Sequence, residues 1–136
     1  IEVRSFTLNG GTFNGGNANF NVTNGAFTMS TGTFNAPLYM NIYDGMAVTG
    51  GVFNHNNGHI TFYANNYDYT IDTPYGLHFY DVEFHECPDS SADHTIHLTE
   101  GFIVDNDFTV RNLSTSGGSY TVDCVIPTIV VYGDVD

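Results

Sequence analysis

The sequence predicts an all-β fold, a parallel β-helix (β-solenoid) of short strands and Gly/Asn-rich turns. The prediction rests on aromatic spacing, on what lies between the aromatics, and on a composition hostile to helix. Phenylalanine stands at 6, 13, 20, 27 and 34, one heptad apart each time. A heptad period suits a coiled coil only with two apolar positions per heptad and helix formers between them. Here Gly10, Gly11, Gly15, Gly16, Gly25 and Gly32 intervene, each costing about 1 kcal/mol relative to alanine in a helix. The residues after each Phe are Thr7, Asn14, Asn21, Thr28 and Asn35, followed by Leu8, Gly15, Val22, Met29 and Ala36. Gly11, Ala18, Gly25 and Gly32 close the first four units. This is period-two alternation broken by a small-residue turn.

A chain that bends every few residues in one sense coils into a solenoid. Each face takes a heptad or so, and a rung takes two or three. The Phe rings then point inward and stack on the rung below, about 4.8 Å away. Recurrent Asn can bond along the axis as in stacked-sheet ladders. At roughly 20 residues per rung the chain makes six or seven rungs, about 30 Å in all. The coil is expected to be right-handed, as parallel crossovers usually are.

The elements follow in order. IEVRSFTL opens residues 1–36, the regular coil. Pro37 interrupts the heptad, and LYMNIYDGMAVTGGVFN reads strand, turn at Asp44–Gly45, strand, turn at Gly50–Gly51, strand. Val48 and Phe62 still fall on multiples of seven from Phe34, so the period is expected to continue. NHNNGHITFYANNYDYTIDT reads strand, Asn-rich bend, strand, and GLHFYDVEFHEC is a strong strand signal around Phe79, Val82 and Phe84. CPDSSADH, residues 87–94, is a polar loop. Strand and turn then alternate to the end, where VIPTIVVYGDV is an apolar edge in need of a partner. The domain reading is one solenoid over 1–136, with 116–136 a candidate edge or assembly segment.

The run GGVFNHNNGHITFYANNYDYTIDTPYGLHFYDVEFHE resembles the parallel β-helix repeats of large secreted, Bacteroidota-like bacterial surface proteins. The matching elements are Gly51 to Asn54, Gly58 to Phe62, Tyr69 to Ile71 and Phe79 to Val82, with an echo in DNDFTVRNL at 105–113. Asp81 stands where that pattern usually has Asn. The resemblance implies a parallel β-helix, an extracellular place and a structural or adhesive role, with no catalytic residues.

Charge narrows the partners. Fifteen acids against two bases, Arg4 and Arg111, give a formal −13, most of it carried by residues 68–136. Nucleic acid is nearly excluded as a partner, and an anionic membrane surface is excluded likewise, because almost nothing neutralises their phosphates. No run of about 18 apolar residues is present, so no membrane insertion is expected. Low lysine with abundant Asn, Thr, Gly and Tyr fits an exported surface protein. Ile1 at the start suits a mature product or a piece of a longer chain.

Cys87 and Cys124 are a candidate disulfide. In a regular coil they would sit nearly two rungs apart, about 9–10 Å, beyond the roughly 7 Å a disulfide tolerates; small core residues are the other reading. Asp105 and Asp107, with Asp134 and Asp136, are candidate calcium ligands, since hard oxygens suit that ion; the competing reading is a plain acidic face. His78, His85, His94 and His97 lie near Asp81, Glu83, Glu86, Asp89 and Asp93 without a zinc spacing, which favours solvated side chains. Asp81 and Glu83 share a strand face as a glycosidase pair would, though neither Arg is near in sequence.

The leading expectation is therefore a non-enzymatic structural subunit of an extracellular filament or surface assembly, polymerising with copies of itself through uncapped solenoid ends. The alternative is an adhesive or stalk module that binds surface glycans. A polysaccharide-active enzyme is the weakest reading.

Overall fold

A computed structural model describes residues 1–64, 68–74, 76–86, 94–111, 120–124 and 128–136. Cys87 and residues 88–93 lie outside these, and with them the candidate disulfide and most of the polar loop. The first rung holds β1 (Glu2–Val3) and β2 (Phe6–Asn14), and the second holds β3 (Asn19–Val22) and β4 (Phe27–Asn35). The third holds β5 (Tyr39–Ile42), β6 (Met46–Val48) and β7 (Val52–Asn54). The fourth holds β8 (His59–Ala64), β9 (Tyr69–Asp72) and β10 (Leu77–Phe79). The fifth holds β11 (Asp81–Glu86), β12 (His94–Leu98) and β13 (Phe102–Val104). The sixth holds β14 (Phe108–Arg111), β15 (Tyr120–Cys124) and β16 (Val130–Val131).

These strands stack into parallel sheets, and no helix occurs among the described residues. The first sheet runs β1-β3-β5-β8-β11-β14, the second β15-β12-β9-β6-β4-β2, and the third β10-β13-β16. β7 pairs with the far half of β4, which in turn pairs with the far half of β2. The fold is thus the β-solenoid that the sequence predicts.

The early rungs obey the expected length. Phe20 pairs with Met40 and Met40 with Ile60, and the ladder partners Asn21 and Asn41 beside them are 20 apart in the chain. Later rungs lengthen: Val82 pairs with Phe108 and Ile103 with Val130. Between β2 and β4 the offset is 21, as at Asn14 and Asn35, which is three heptads. Phe6 therefore pairs with Phe27, and Phe13 with Phe34. One heptad serves one face. Its short strands fuse into the long ladders Phe6–Asn14 and Phe27–Asn35, which bend at glycine. Gly32 sits there at φ 90°, and a Cβ on it would lie 2.7 Å from the Gly11 carbonyl oxygen, so no other residue fits without strain.

The Phe rings meet in two ways. Along the axis they stack nearly parallel and offset: Phe6 on Phe27 at 5.2 Å, Phe13 on Phe34 at 4.9 Å, Phe34 on Phe53 at 5.4 Å. Within a rung they meet edge to face, as Phe27 and Phe34 do at 77°. Both arrangements suit the ring quadrupole. Phe20, Phe27 and Phe34 are fully buried.

The register corrects the expected continuation of the heptad. Met46, not Val48, pairs with Phe27, while Val48 pairs with Met29. Phe62 joins the Ile42 column and Ile60 the Met40 column. Asn41, the next heptad site after Phe34, stands in the outward Asn21 column. A shorter third rung shifted the phase: Asn54 follows its partner Asn35 by 19, where Asn35 follows Asn14 by 21. The strand signal over 76–87 is likewise two strands, because the chain turns at Tyr80 from the third sheet into the first.

Outside, side chains bond rung to rung. Asn35 Nδ2 donates to Asn14 Oδ1 at 2.7 Å, Asn54 Nδ2 to Asn35 Oδ1 at 2.7 Å, and Asn41 Nδ2 to Asn21 Oδ1 at 2.8 Å. Replacing Phe34 by Ala should cost about 3–5 kcal/mol by opening a cavity that touches three rungs. Thr73 is buried with an unpartnered hydroxyl, so Thr73→Val should stabilise by about 1 kcal/mol. Urea denaturation followed by circular dichroism reads both; a Phe34→Ala loss below about 1 kcal/mol would contradict the axial column.

Candidate functional site

Parallel pairing sends every second residue of a strand outward and aligns it with the rung above. On the first sheet this brings polar residues of distant sequence together. Asp81 pairs with His59, Glu83 with Thr61 and Thr109, and His85 with Tyr63 and Arg111. Glu83 is the centre of the cluster. Its Oε1 lies 2.9 Å from His85 Nδ1 and 3.4 Å from Arg111 Nε, and its Oε2 lies 3.4 Å from His59 Nε2. The covering bases leave Glu83 8% exposed although it stands on an outward face.

Asp81 is held otherwise. Its Oδ1 accepts from Asn106 Nδ2 at 2.7 Å and from the Asp107 amide at 3.2 Å. The expected carboxylate pair is thus adjacent, but both members are already bonded to the chain. Arg111, remote in sequence, reaches Glu83 because β14 lies directly beside β11. Beside this cluster Tyr43, Tyr63 and His85 form an aromatic stack, at 4.5 Å and 4.9 Å.

A second cluster occupies the corner between the third and first sheets. Asp105 lies 2.9 Å from His78 Nδ1 and 3.3 Å from His55 Nε2. The Asn57 amide donates to His55 Nδ1 at 3.1 Å, so the proton of neutral His55 sits on Nε2 and faces Asp105. Asn56 and Asn57 hold left-handed φ values of 50° and 54° in this corner. A shallow open depression lies between the clusters, floored by Met40, Phe53, Ile60 and Phe79 and rimmed by His55, His59 and Tyr80.

The candidate calcium residues have the following places. Asp105 belongs to the histidine corner, while Asp107 Oδ1 accepts from the Asp134 amide at 3.4 Å. The Asp136 amide donates to the Phe108 carbonyl. Among the described residues no group of three or more His, Cys, Asp or Glu is placed to hold a metal ion. His78 and His85 are outward, as expected, but paired with acids; His94 is buried instead, at 5% exposure. Cys124 ends β15 opposite Leu98.

His55, His59 and the approach of Arg111 to Glu83 were not legible in linear spacing. The signal that finds them is the register itself, which becomes known only once the corners are placed.

The ends form the remaining feature. At the N-terminal pole Val3, Phe6, Leu8 and Phe13 are half-buried, and no described strand pairs with the outer edge of β1 or β2. At the C-terminal pole Phe108, Ile129 and Val131 are half-buried, and Tyr132 and Val135 are exposed at 69% and 65%. Among the described residues a bridge from Val135 to Phe108 covers part of that edge.

Compared with known proteins, the chain matches no family model, no curated protein and no solved structure.

The chemistry available in the polar clusters is cross-rung bonding: Glu83 and Asp105 tie together histidines or arginine from successive passes, and Asp81 takes the Asn106 amide. Glu83→Ala should lower stability by about 2 kcal/mol, because charge-assisted bonds to Glu83 are lost, and should leave Arg111→Ala with little further effect in the double variant. Additive losses in a thermal or urea melt would show that the two groups act separately.

Proposed function

We propose that this chain is a structural subunit of an extracellular filament or surface assembly, growing by contact between the open ends of its solenoid. The observation that carries the reading is the state of the poles. Phe6 and Phe13 hold the same column positions as the fully buried Phe27 and Phe34, yet they are half-exposed. Unpaired parallel edges with apolar side chains favour addition of another strand. The side-chain ladders suit a load-bearing role, since successive rungs are tied outside as well as inside. The carboxylates of Asp81 and Glu83 serve these ties, which supports a non-enzymatic reading.

The alternative, an adhesive or stalk module that binds surface glycans, draws support from the first sheet. Tyr39 is 50% exposed there, on the strand that also bears Asn41. Planar rings beside amides and hydroxyls are groups that sugars contact.

Electron microscopy and light scattering of the purified chain test the proposal. Ordered fibres whose mass grows with concentration are expected. Fibre growth should be faster at physiological salt than in dilute buffer, because copies of formal charge −13 repel one another and the screening length falls to about 8 Å. Stable monomers at every concentration would overturn the filament reading in favour of the module.

A further inference from the structure

We infer that the open ends join head to tail, the N-terminal pole of one copy seated on the C-terminal pole of a second copy; this rests on the assembly reading above. The argument starts from the direction of the outer ladders. Among the described residues, the side-chain amides of the ladders donate from the later rung to the earlier. Ser30 donates to Asn9, Asn35 to Asn14, Asn54 to Asn35, Asn41 to Asn21, and Asn106 to Asp81. The ladders are therefore polar along the axis. They end at the N-terminal pole on Asn9 and Asn14, whose amide oxygens already accept from the rung above and whose N–H donors are left for the pole.

The opposite pole is supplied with acceptors. Asp107, Asp134 and Asp136 are exposed there, and carboxylates are acceptor-only when ionised. The base of that rung, Arg111, is turned to Glu83. At the N-terminal pole Glu2 and Arg4 are both exposed and cancel. Joining two C-terminal poles would set acids against acids, and joining two N-terminal poles would set donors against donors. Head-to-tail contact avoids both, keeps the strands parallel and continues the coil in the same sense. One like-charge meeting remains, Glu2 with Asp136, which share an outward column through Asn21, Asn41, Thr61, Glu83 and Thr109.

Two blocked variants test the polarity. Leu8→Glu places a charge on the N-terminal pole and Val110→Glu places one on the C-terminal pole; far-UV circular dichroism confirms that each keeps the coil, and Val3→Glu replaces Leu8→Glu should the latter melt early. Light scattering coupled to size exclusion then reads mass. Each variant alone is expected to be monomeric, and an equimolar mixture to give a species of twice the monomer mass, since one free pole of each kind remains. Glu2→Gln in the otherwise native chain is expected to lower the concentration at which fibres appear. A blocked variant that dimerises by itself, or a mixture that stays monomeric while the native chain assembles, overturns the polarity. A native chain that never assembles overturns the assembly reading instead, and points to covalent continuation of the coil.

Discussion

The structure depends on axial stacking of identical or similar side chains at the spacing of parallel strands. Phe6 on Phe27, Phe13 on Phe34 and Phe34 on Phe53 are the clearest cases. Once a ring occupies an inward site, the best neighbour above it is another flat or flexible apolar group in the same column. Met40, Met46 and Ile60 take those places where Phe gives out, and a flexible thioether fills an irregular column readily. The outer surface obeys the same rule with polar groups, so the asparagine ladders and the phenylalanine columns are two faces of one constraint.

Much of this was legible in the sequence because the constraint is periodic. Over residues 6–34 the corner length is constant, so linear spacing reports spatial alignment directly: one heptad is one face and three are a rung. The reading fails when the corners change length. A shorter third rung moves the phase, which is why Val48 and Phe62 are buried in columns other than the one their numbering suggests. In the C-terminal half the bonded partners Asp81 and Asn106 are 25 apart in the chain, and Asp72 and Thr99 are 27 apart. Rungs that differ in length leave no fixed period to count.

The polar clusters show the same limit more sharply. Asp81 and Glu83 were visible as neighbours because alternation within one strand needs no register. The convergence of His59, His85 and Arg111 on Glu83 joins three successive passes of the chain, and the pairing of His55 and His78 with Asp105 does likewise. These meetings depend on where each corner places the next strand. Corner geometry, set by glycine and by residues such as Asn56 and Asn57 in left-handed conformation, is weakly encoded in residue type.

A solenoid whose rungs touch only their nearest neighbours has no long-range fastening. Its backbone hydrogen bonds lie along the axis, while its strands lie across it. Tension applied between the two termini therefore loads one ladder at a time, and the molecule should yield by peeling, one turn after another, rather than by a single global rupture. The imidazole and guanidinium ties to Glu83 and Asp105 join the third to sixth rungs, so they reinforce the part of the coil where paired strands are farthest apart in sequence. Such a body lengthens gradually under strain and can rewind when the strain is released.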